Sequence, residues 1–322
     1  MRIEYKDIPD RGVIERITEF NFSGQKKWDI PEACPVKIAV VGRPPNRKGS
    51  PVPNIPGQVP TPDQMKAIVE QSMACVEAGA CIVHYHAVGP TAKDWEQQWR
   101  LFAEPILKHY PDVAFDLSIL TRQKWEDEAY LMKAFGDICD STPCNMSLLG
   151  KVQNKKLIQA EVQMCQDYGI VPEMACYVEG DIDVAKDAVI DTGIAKKPVA
   201  WDLLPSYWVG GTPMYDFEGT ALSLMNMVHQ IKLIEPESEI MLTGSGRASS
   251  HLLALSIMMG LSVKVGQEDT YYWYPNKDDV LDDNVRHVKE TVEMIKILGR
   301  RPATANEYRQ MIGRKLKPSK KK

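Results

Sequence analysis

Long apolar runs are absent from this sequence of 322 residues. The most apolar stretch, residues 252–263, is too short to cross a bilayer and contains Ser256 and Gly260. Residues 1–7 contain no apolar core of the kind that a secretory signal requires. These absences argue against membrane-spanning and secreted proteins, so we predict a cytoplasmic protein with no membrane partner.

A strong charge of one sign is also absent. The sequence has 39 Lys and Arg residues against 43 Asp and Glu residues, which gives a formal net charge of −4. A nucleic-acid-binding protein usually carries a basic field, so this balance predicts no nucleic-acid partner. The basic residues 314–322 are predicted to form a disordered, solvated tail.

Cysteine and histidine are both scarce, with seven and six residues respectively. Five of the cysteines lie in apolar or helical contexts without the spacing of a metal site, at Cys75, Cys81, Cys139, Cys165 and Cys176. They are predicted to be reduced core residues of a cytoplasmic protein. Two of the histidines, in contrast, are separated by a single residue, at His84 and His86.

This histidine pair ends a short apolar segment, residues 80–86, which we predict to be a buried strand. Side chains alternate along a strand, so His84 and His86 point to the same face. Two imidazoles on one face provide half of a metal site, although a strand histidine is more often a hydrogen-bonded polar group than a ligand. The metal interpretation needs a carboxylate, and Glu268, after the apolar residues 262–265, is the best candidate.

Short apolar segments alternate with longer helical segments along most of the chain. The predicted strands are residues 36–41, 80–86, 113–118, 144–147, 170–175, 198–204, 239–243 and 262–265. The predicted helices are residues 61–78, 94–109, 125–135, 155–168, 182–191, 220–234, 250–259, 282–298 and 306–312. Such alternation predicts an α/β fold of the (β/α)8 TIM-barrel class, with an open doubly wound sheet as the alternative. The predicted domains are an N-terminal extension packed on the barrel (1–33), the barrel (34–313) and the basic tail (314–322).

Polar side chains at the predicted strand ends distinguish the two folds. In a closed barrel they converge on one mouth, where the active sites of this fold lie, whereas in an open sheet they are spread along an edge. The eighth strand of a barrel neighbours the first, so Glu268 can meet His84 and His86. Two imidazoles and one carboxylate suit Zn2+ and leave a fourth position open for substrate or water. The strand-end residues are His84, His86, Ser118, Ser147, Glu173, Ser245 and Glu268.

Three further features near the predicted mouth each have two interpretations. Lys264 and Asp269 could form a cation-assisted general base or a structural ion pair. Glu173 lies in an apolar strand, where it could orient a substrate or pair with a polar group of a neighbouring strand. Gly246, in the turn 244–247 before a helix, could help to hold an anion or could serve a tight turn alone.

Two motifs resemble the metal-binding segments of the β-keto acid cleavage enzymes, a family typified by 3-keto-5-aminohexanoate cleavage enzyme. Residues 79–86 resemble the strand that carries the family's histidine pair, and residues 263–269 resemble its eighth-strand motif. The resemblance runs from about residue 36 to residue 313. Supporting matches occur at residues 59–62, 172–173, 244–247 and 301–304.

The resemblance implies a zinc-dependent (β/α)8 barrel, usually a homotetramer, that reacts a small β-keto acid with acetyl-CoA. The products are acetoacetate and the CoA ester of the remaining chain. By this resemblance His84, His86 and Glu268 hold one Zn2+ per chain. Asp269 is the base that removes a proton next to the ketone, and Lys264 stands where the family usually has an arginine.

The same resemblance identifies Glu173 and Ser118 with substrate-facing positions, and we predict that Ser147 and Gly246 also contact the substrate. The sequence departs from the family after His86, where an arginine and an aspartate are replaced by Ala87 and the residues after it. These departures predict a divergent member. The alternatives are a zinc-dependent hydrolase or lyase acting on another carbonyl compound, and a metal-binding barrel without turnover.

Overall fold

Eight parallel strands close into a barrel in the computed structural model, with the last strand paired to the first. The structure describes residues 4, 6, 26–41, 48–50, 58–122, 124–148, 151–152, 154–207 and 216–318. The closed sheet confirms the predicted TIM barrel and excludes the open sheet. The strands are β1 (Val36–Ala39), β2 (Ile82–Tyr85), β3 (Ala114–Leu117), β4 (Ser141–Asn145), β5 (Val171–Cys176), β6 (Ala200–Leu203), β7 (Glu239–Thr243) and β8 (Ser262–Val265).

The chain divides into two compact units, Met1–Ile30 and Pro31–Lys322. Within the first unit, Lys6 Nζ lies 2.7 Å from Glu4 Oε2. Most of the predicted extension, residues 1–33, lies outside the described residues, and its packing on the barrel stays a prediction. The second unit contains all eight strands of the barrel.

A helix follows each strand of the barrel. The first of them is fixed at its start by a capping box, in which Thr61 Oγ1 accepts from Gln64 N at 3.3 Å and Gln64 Oε1 accepts from Thr61 N at 2.8 Å. None of the helices in the described part of the chain combines the length and the apolarity that a bilayer crossing requires. The helices are α1 (Pro62–Glu77), α2 (Ala92–His109), α3 (Trp125–Phe135), α4 (Lys155–Asp167), α5 (Glu179–Ala185), α6 (Phe217–Ile234), α7 (Ser249–Met258), α8 (Asn284–Ile297) and a terminal α9 (Ala305–Met311).

The strands of the barrel are almost entirely buried. Every residue of β1, β2, β3, β6 and β8 is buried, as expected for parallel strands that have helices on one face and the barrel interior on the other. This burial explains why the strands appear in the sequence as short, continuous apolar segments. The lysine and aspartate residues inside them are the exceptions, and each is at most 6% exposed: Lys37, Asp116, Asp202 and Lys264.

The amino-terminal end of the barrel is closed by α9. Tyr308 and Ile312 pack against the first residues of β2 and β3, Ile82 and Ala114, in one apolar cluster. The short strand Arg301–Pro302 before α9 pairs in parallel with the short strand Ala33–Cys34. The mouth at the opposite, carboxyl-terminal end of the strands is therefore the end at which a site can open to solvent.

Buried charges fix this closing segment. Arg309, which is fully buried, donates to Asp140 Oδ1 at 2.7 Å and to Asp140 Oδ2 at 2.8 Å. Arg314 Nε and Lys317 Nζ lie 3.6 Å and 3.5 Å from the same carboxylate. The predicted disordered tail therefore differs from the structure over residues 314–318, where two basic residues contact the barrel because a buried acid attracts them. Residues 319–322 lie outside the described residues.

We expect Arg309→Met to lower the free energy of unfolding by about 3–5 kcal/mol, because breaking a buried ion pair leaves Asp140 without its bidentate partner. Urea denaturation monitored by circular dichroism would measure the loss. Arg301→Met is the matched control, since it removes an ion pair with Glu307 in which about half of the arginine side chain is exposed. Equal losses in the two variants would contradict the assignment of Arg309 as the buried anchor.

Candidate metal centre and active site

The two histidines and the glutamate meet at the carboxyl-terminal mouth of the barrel. His84 is the third residue of β2 and His86 follows the strand, so alternation places both rings on one side, with centroids 4.7 Å apart. Gly266, directly after β8, has a φ of 119° and lies so close to β1 that a Cβ would be 2.2 Å from the Ala39 carbonyl oxygen. Only glycine fits this turn, which carries Glu268 across the end of β1 towards the histidines.

The donor atoms of these residues form a compact cluster. His86 Nε2 lies 3.0 Å from Glu268 Oε1, and His84 Nε2 lies 3.4 Å from Glu268 Oε2. One ligand atom from each residue can be chosen so that all lie within 4.8 Å of one another. His84 Nε2 is buried and has no hydrogen-bond partner within the described part of the chain. A buried imidazole nitrogen without a hydrogen-bond partner is well suited to bind a metal, so these three residues suit a bound divalent ion.

Charge at the cluster favours a cation. Burial lowers the pKa of His84, as does the charge of Lys264, but the Asp116 and Glu268 carboxylates outweigh both and raise it to about 9. Burial raises the pKa of Glu268, but Lys264 and the two histidines hold it well below its ordinary value. The glutamate is therefore ionised, and the surroundings of His84 stabilise positive charge at this point of the mouth.

Lys264 and Asp269 form an ion pair beside the cluster. Lys264 Nζ lies 2.8 Å from Asp269 Oδ2 and 4.0 Å from Glu268 Oε2, and all three side chains are less than 10% exposed. Burial lowers the pKa of Lys264, but Asp269, Glu268 and Asp202 together raise it well above its ordinary value. The ammonium group is therefore charged, and it contacts the carboxylate of Asp269, which is not one of the three candidate metal ligands.

These groups line one cavity at the mouth of the barrel. Ser118, after β3, places its Oγ 3.0 Å from His86 Nε2. Tyr177, after β5, donates its hydroxyl to Asn145 Oδ1 at 2.8 Å. The polar residues lining the cavity are His84, His86, Ser118, Asn145, Tyr177, Asp202, Tyr207, Lys264, Glu268 and Asp269.

Comparison with known proteins identifies the family. The model of the beta-keto acid cleavage enzyme family matches residues 36–313, which is most of the chain. The chain belongs to this family. A 3-keto-5-aminohexanoate cleavage enzyme of Fusobacterium nucleatum is 27% identical over 265 residues, covering 79% of this chain and 91% of the relative. An enzyme of the same name from Acetoanaerobium sticklandii is 24% identical over 270 residues, covering 81% and 92%.

Solved structures show the same architecture. The apo structure of ObcA matches with a TM-score of 0.63 and 17% sequence identity, over 77% of this chain and 64% of ObcA. The chain therefore spans slightly less than two thirds of the length of ObcA. At this level of identity the likeness shows the barrel fold that this member of the β-keto acid cleavage family shares with ObcA.

The structure separates the predicted substrate residues of this family member. Ser118 lines the cavity that contains the three candidate metal ligands. Glu173 lies deeper in the barrel, two residues before the cavity-lining Ala175, and receives a bond from Lys37 Nζ at 2.6 Å. This ion pair agrees with the second interpretation of Glu173, although Lys37 is on β1 rather than on a neighbouring strand. Contact of Glu173 with a substrate stays a prediction.

Ser147 and Gly246 also lie away from the cluster. Ser147 is buried past the end of β4 and donates to Asp181 Oδ2 at 3.1 Å, so it helps to hold the start of α5. Gly246, with a φ of 64°, lines a different cavity together with Ser245 and Arg247. In the described part of the chain, neither residue is among those that line the cavity of the three candidate metal ligands.

Sequence reasoning missed Asp116, which is the nearest carboxylate to His84. Its Oδ2 lies 2.8 Å from His84 Nδ1, and the two residues are direct partners in the pairing of β2 with β3. It also missed Lys37 and Asp202. Each is a charged residue within an otherwise apolar strand, and that was the available signal, since a charge is rarely buried unless it is paired.

Proposed function

We propose that this protein is a zinc-dependent enzyme that reacts a small β-keto acid with acetyl-CoA, giving acetoacetate and the CoA ester of the remaining chain. The observation that carries the proposal is the Lys264–Asp269 ion pair of 2.8 Å, in the same cavity as the His84, His86 and Glu268 cluster. Family membership and the names of the two curated relatives support it. ObcA is known in complexes with oxaloacetate and with a C4-CoA adduct and oxalate, which are ligands of the two proposed kinds.

His84, His86 and Glu268 would hold about one Zn2+ per chain, since two imidazoles and a carboxylate are a common catalytic zinc set with one open position. The ion, when bound, supplies Lewis acidity to the oxygens of the keto acid. Ser118 Oγ lies 3.0 Å from His86 Nε2, the nitrogen that would hold the ion, and from the family resemblance we propose that Ser118 contacts the substrate.

Asp269 is the group placed to take a proton from the carbon between the ketone and the carboxylate. Lys264 holds Asp269 in place through the ion pair and stabilises the negative charge that develops on the substrate. The α-carbon then bonds to the acetyl carbon, and the acetyl C–S bond breaks and releases the CoA thiolate. The thiolate adds to the original ketone carbon, and the bond from that carbon to the α-carbon breaks, which gives the new acyl-CoA. Asp269 returns its proton to the α-carbon of the acetoacetate, so that atoms and charge balance. From the family resemblance we further propose that the enzyme is a homotetramer.

Dependence on acetyl-CoA tests the proposal. The zinc-loaded protein would be given a panel of short β-keto acids with and without acetyl-CoA, and products would be identified by mass spectrometry. We expect acetoacetate and a new acyl-CoA in equal amounts, and only when acetyl-CoA is present. Consumption of a keto acid without acetyl-CoA would indicate a hydrolase or lyase instead. Absence of turnover across the panel, with metal bound, would indicate a binding barrel.

A further inference from the structure

Below the candidate metal ligands His84, His86 and Glu268, four buried polar side chains form a line of hydrogen-bonded residues through the barrel interior. Lys37 Nζ, on β1, donates to Asp116 Oδ2 at 2.7 Å and to Glu173 Oε2 at 2.6 Å. Tyr308, on α9, donates its hydroxyl to Glu173 Oε1 at 2.7 Å. All four side chains belong to residues that are at most 2% exposed. The line therefore runs from the helix that closes the amino-terminal end to the residue that contacts His84.

A single oxygen of Asp116 joins this line to His84, one of the candidate metal ligands. Asp116 Oδ2 lies within hydrogen-bonding distance of both Lys37 Nζ and His84 Nδ1, while Asp116 Oδ1 has no hydrogen-bond partner among the residues that the structure describes. Asp116 Oδ2 therefore serves as the hydrogen-bond acceptor for both the Lys37 ammonium group and His84 Nδ1. With Nδ1 donating to Asp116, Nε2 is the ring nitrogen that faces Glu268 and that can bind a metal ion once it carries no proton.

Lys37 in turn depends on Glu173 and Tyr308 for its position. Burial lowers the pKa of Lys37, but the Asp116 and Glu173 carboxylates raise it well above its ordinary value, so the ammonium group is charged. The ammonium group lies between the Asp116 and Glu173 carboxylates, and Tyr308 donates to Glu173. Tyr308 in turn accepts a hydrogen bond from Ser141 Oγ at 3.0 Å. One positive and two negative charges leave the line one unit negative, which favours a further cation at the His84 end.

We propose that Asp116 and Lys37 are positioning residues for the metal centre. Tyr308, at the opposite end of the barrel, holds them in place through Glu173. The proposal rests on the metal site of the proposed function and adds to it the residues that orient its buried ligand. Asp116 determines which nitrogen of His84 can bind the metal ion, and Lys37 holds the Asp116 side chain in position. Groups that orient a metal-bound imidazole in this way typically change metal affinity by about 10–100-fold when they are removed.

Metal affinity and the Co2+ spectrum test the proposal in the full-length protein. Zn2+ affinity would be measured by competition with a chromophoric chelator, and the visible absorption of the Co2+-loaded protein would report the ligand geometry. We expect Asp116→Asn to weaken Zn2+ binding by about 10–100-fold and to change the Co2+ spectrum. Tyr308→Phe should give a smaller loss in the same direction. Tyr110→Phe is the matched control, because Tyr110 donates to Glu77 at 2.6 Å on the surface.

The outcomes separate this proposal from the metal site itself. If the wild-type protein binds neither Zn2+ nor Co2+, the metal centre and the positioning roles are both wrong. If the wild type binds metal and Asp116→Asn and Tyr308→Phe match it in affinity and spectrum, only the positioning roles are wrong. A lower unfolding midpoint with unchanged affinity would likewise mean that the line is merely structural. If Asp116→Asn does not fold, the affinity and spectrum of Tyr308→Phe decide.

Discussion

Asp269→Asn is expected to lower turnover by about 10²–10⁴-fold, which is the contribution of a positioned general base. Asparagine keeps the shape of the side chain and offers an oxygen to Lys264, which lies 2.8 Å from the native carboxylate. It cannot take a proton from the substrate, however. Because Asp269 lies outside the cluster of His84, His86 and Glu268, metal content should stay at the wild-type value. Steady-state kinetics at saturating acetyl-CoA and elemental analysis would measure the two quantities.

The control for this variant is Asp279→Asn, which removes an exposed carboxylate from the segment between β8 and α8. It should retain the wild-type rate. If Asp269→Asn with full metal also turns over at the wild-type rate, Asp269 is not the base and its pair with Lys264 is structural. A fall in rate together with loss of metal would instead show that the substitution disturbs the neighbouring Glu268.

His84→Ala and His86→Ala are each expected to reduce bound metal from about one ion per chain to near zero, and to abolish turnover with it. A tetrahedral site with three protein ligands loses most of its affinity when one of them is removed. His86 gives the cleaner test, since 29% of its side chain is exposed, against 1% for His84. Removing His84 also takes a partner from Asp116, so a fall in stability is expected in that variant alone.

Metal content would be measured by elemental analysis after dialysis against a weak chelator. His109→Ala is a suitable control, because His109 is exposed at the end of α2 and its Nδ1 contacts the Pro105 carbonyl oxygen. That variant should keep the wild-type metal content. Unchanged metal in both His84→Ala and His86→Ala would show that the ion, if present, binds elsewhere.

The barrel could be predicted because its signals are local. Strands β7 and β8 and helix α3 begin and end where the sequence patterns place them, since apolar segments and turn residues mark each element. The spacing of His84 and His86 was equally local, because alternation along a strand fixes which side chains share a face. Predicting that Glu268 reaches them needed only the closure of the barrel between β8 and β1.

Depth along the barrel could not be predicted in the same way. Alternation shows that a residue such as Glu173 faces inwards, but not whether it lies at the mouth or in a lower layer. Strand β4 illustrates the second difficulty, since it covers Ser141–Asn145 rather than the predicted residues 144–147. The two-residue difference at its end leaves Ser147 beyond the strand, where the Ser147 hydroxyl donates a hydrogen bond to Asp181. Depth in the barrel and the bounds of a strand both depend on register, which is set by contacts between strands that a single sequence does not contain.

The position of α9 has a consequence for the order in which the protein matures. This helix follows all eight strands in the chain, so it leaves the ribosome after them, yet its Tyr308 and Arg309 bond to Glu173 and Asp140 of the barrel. Lys37 is 136 residues from Glu173, and Glu173 is 135 residues from Tyr308. Contacts of such long range form late in folding. Until they form, the amino-terminal end of the barrel lacks the helix that closes it, and we expect the metal ion to be loaded only after synthesis of this helix.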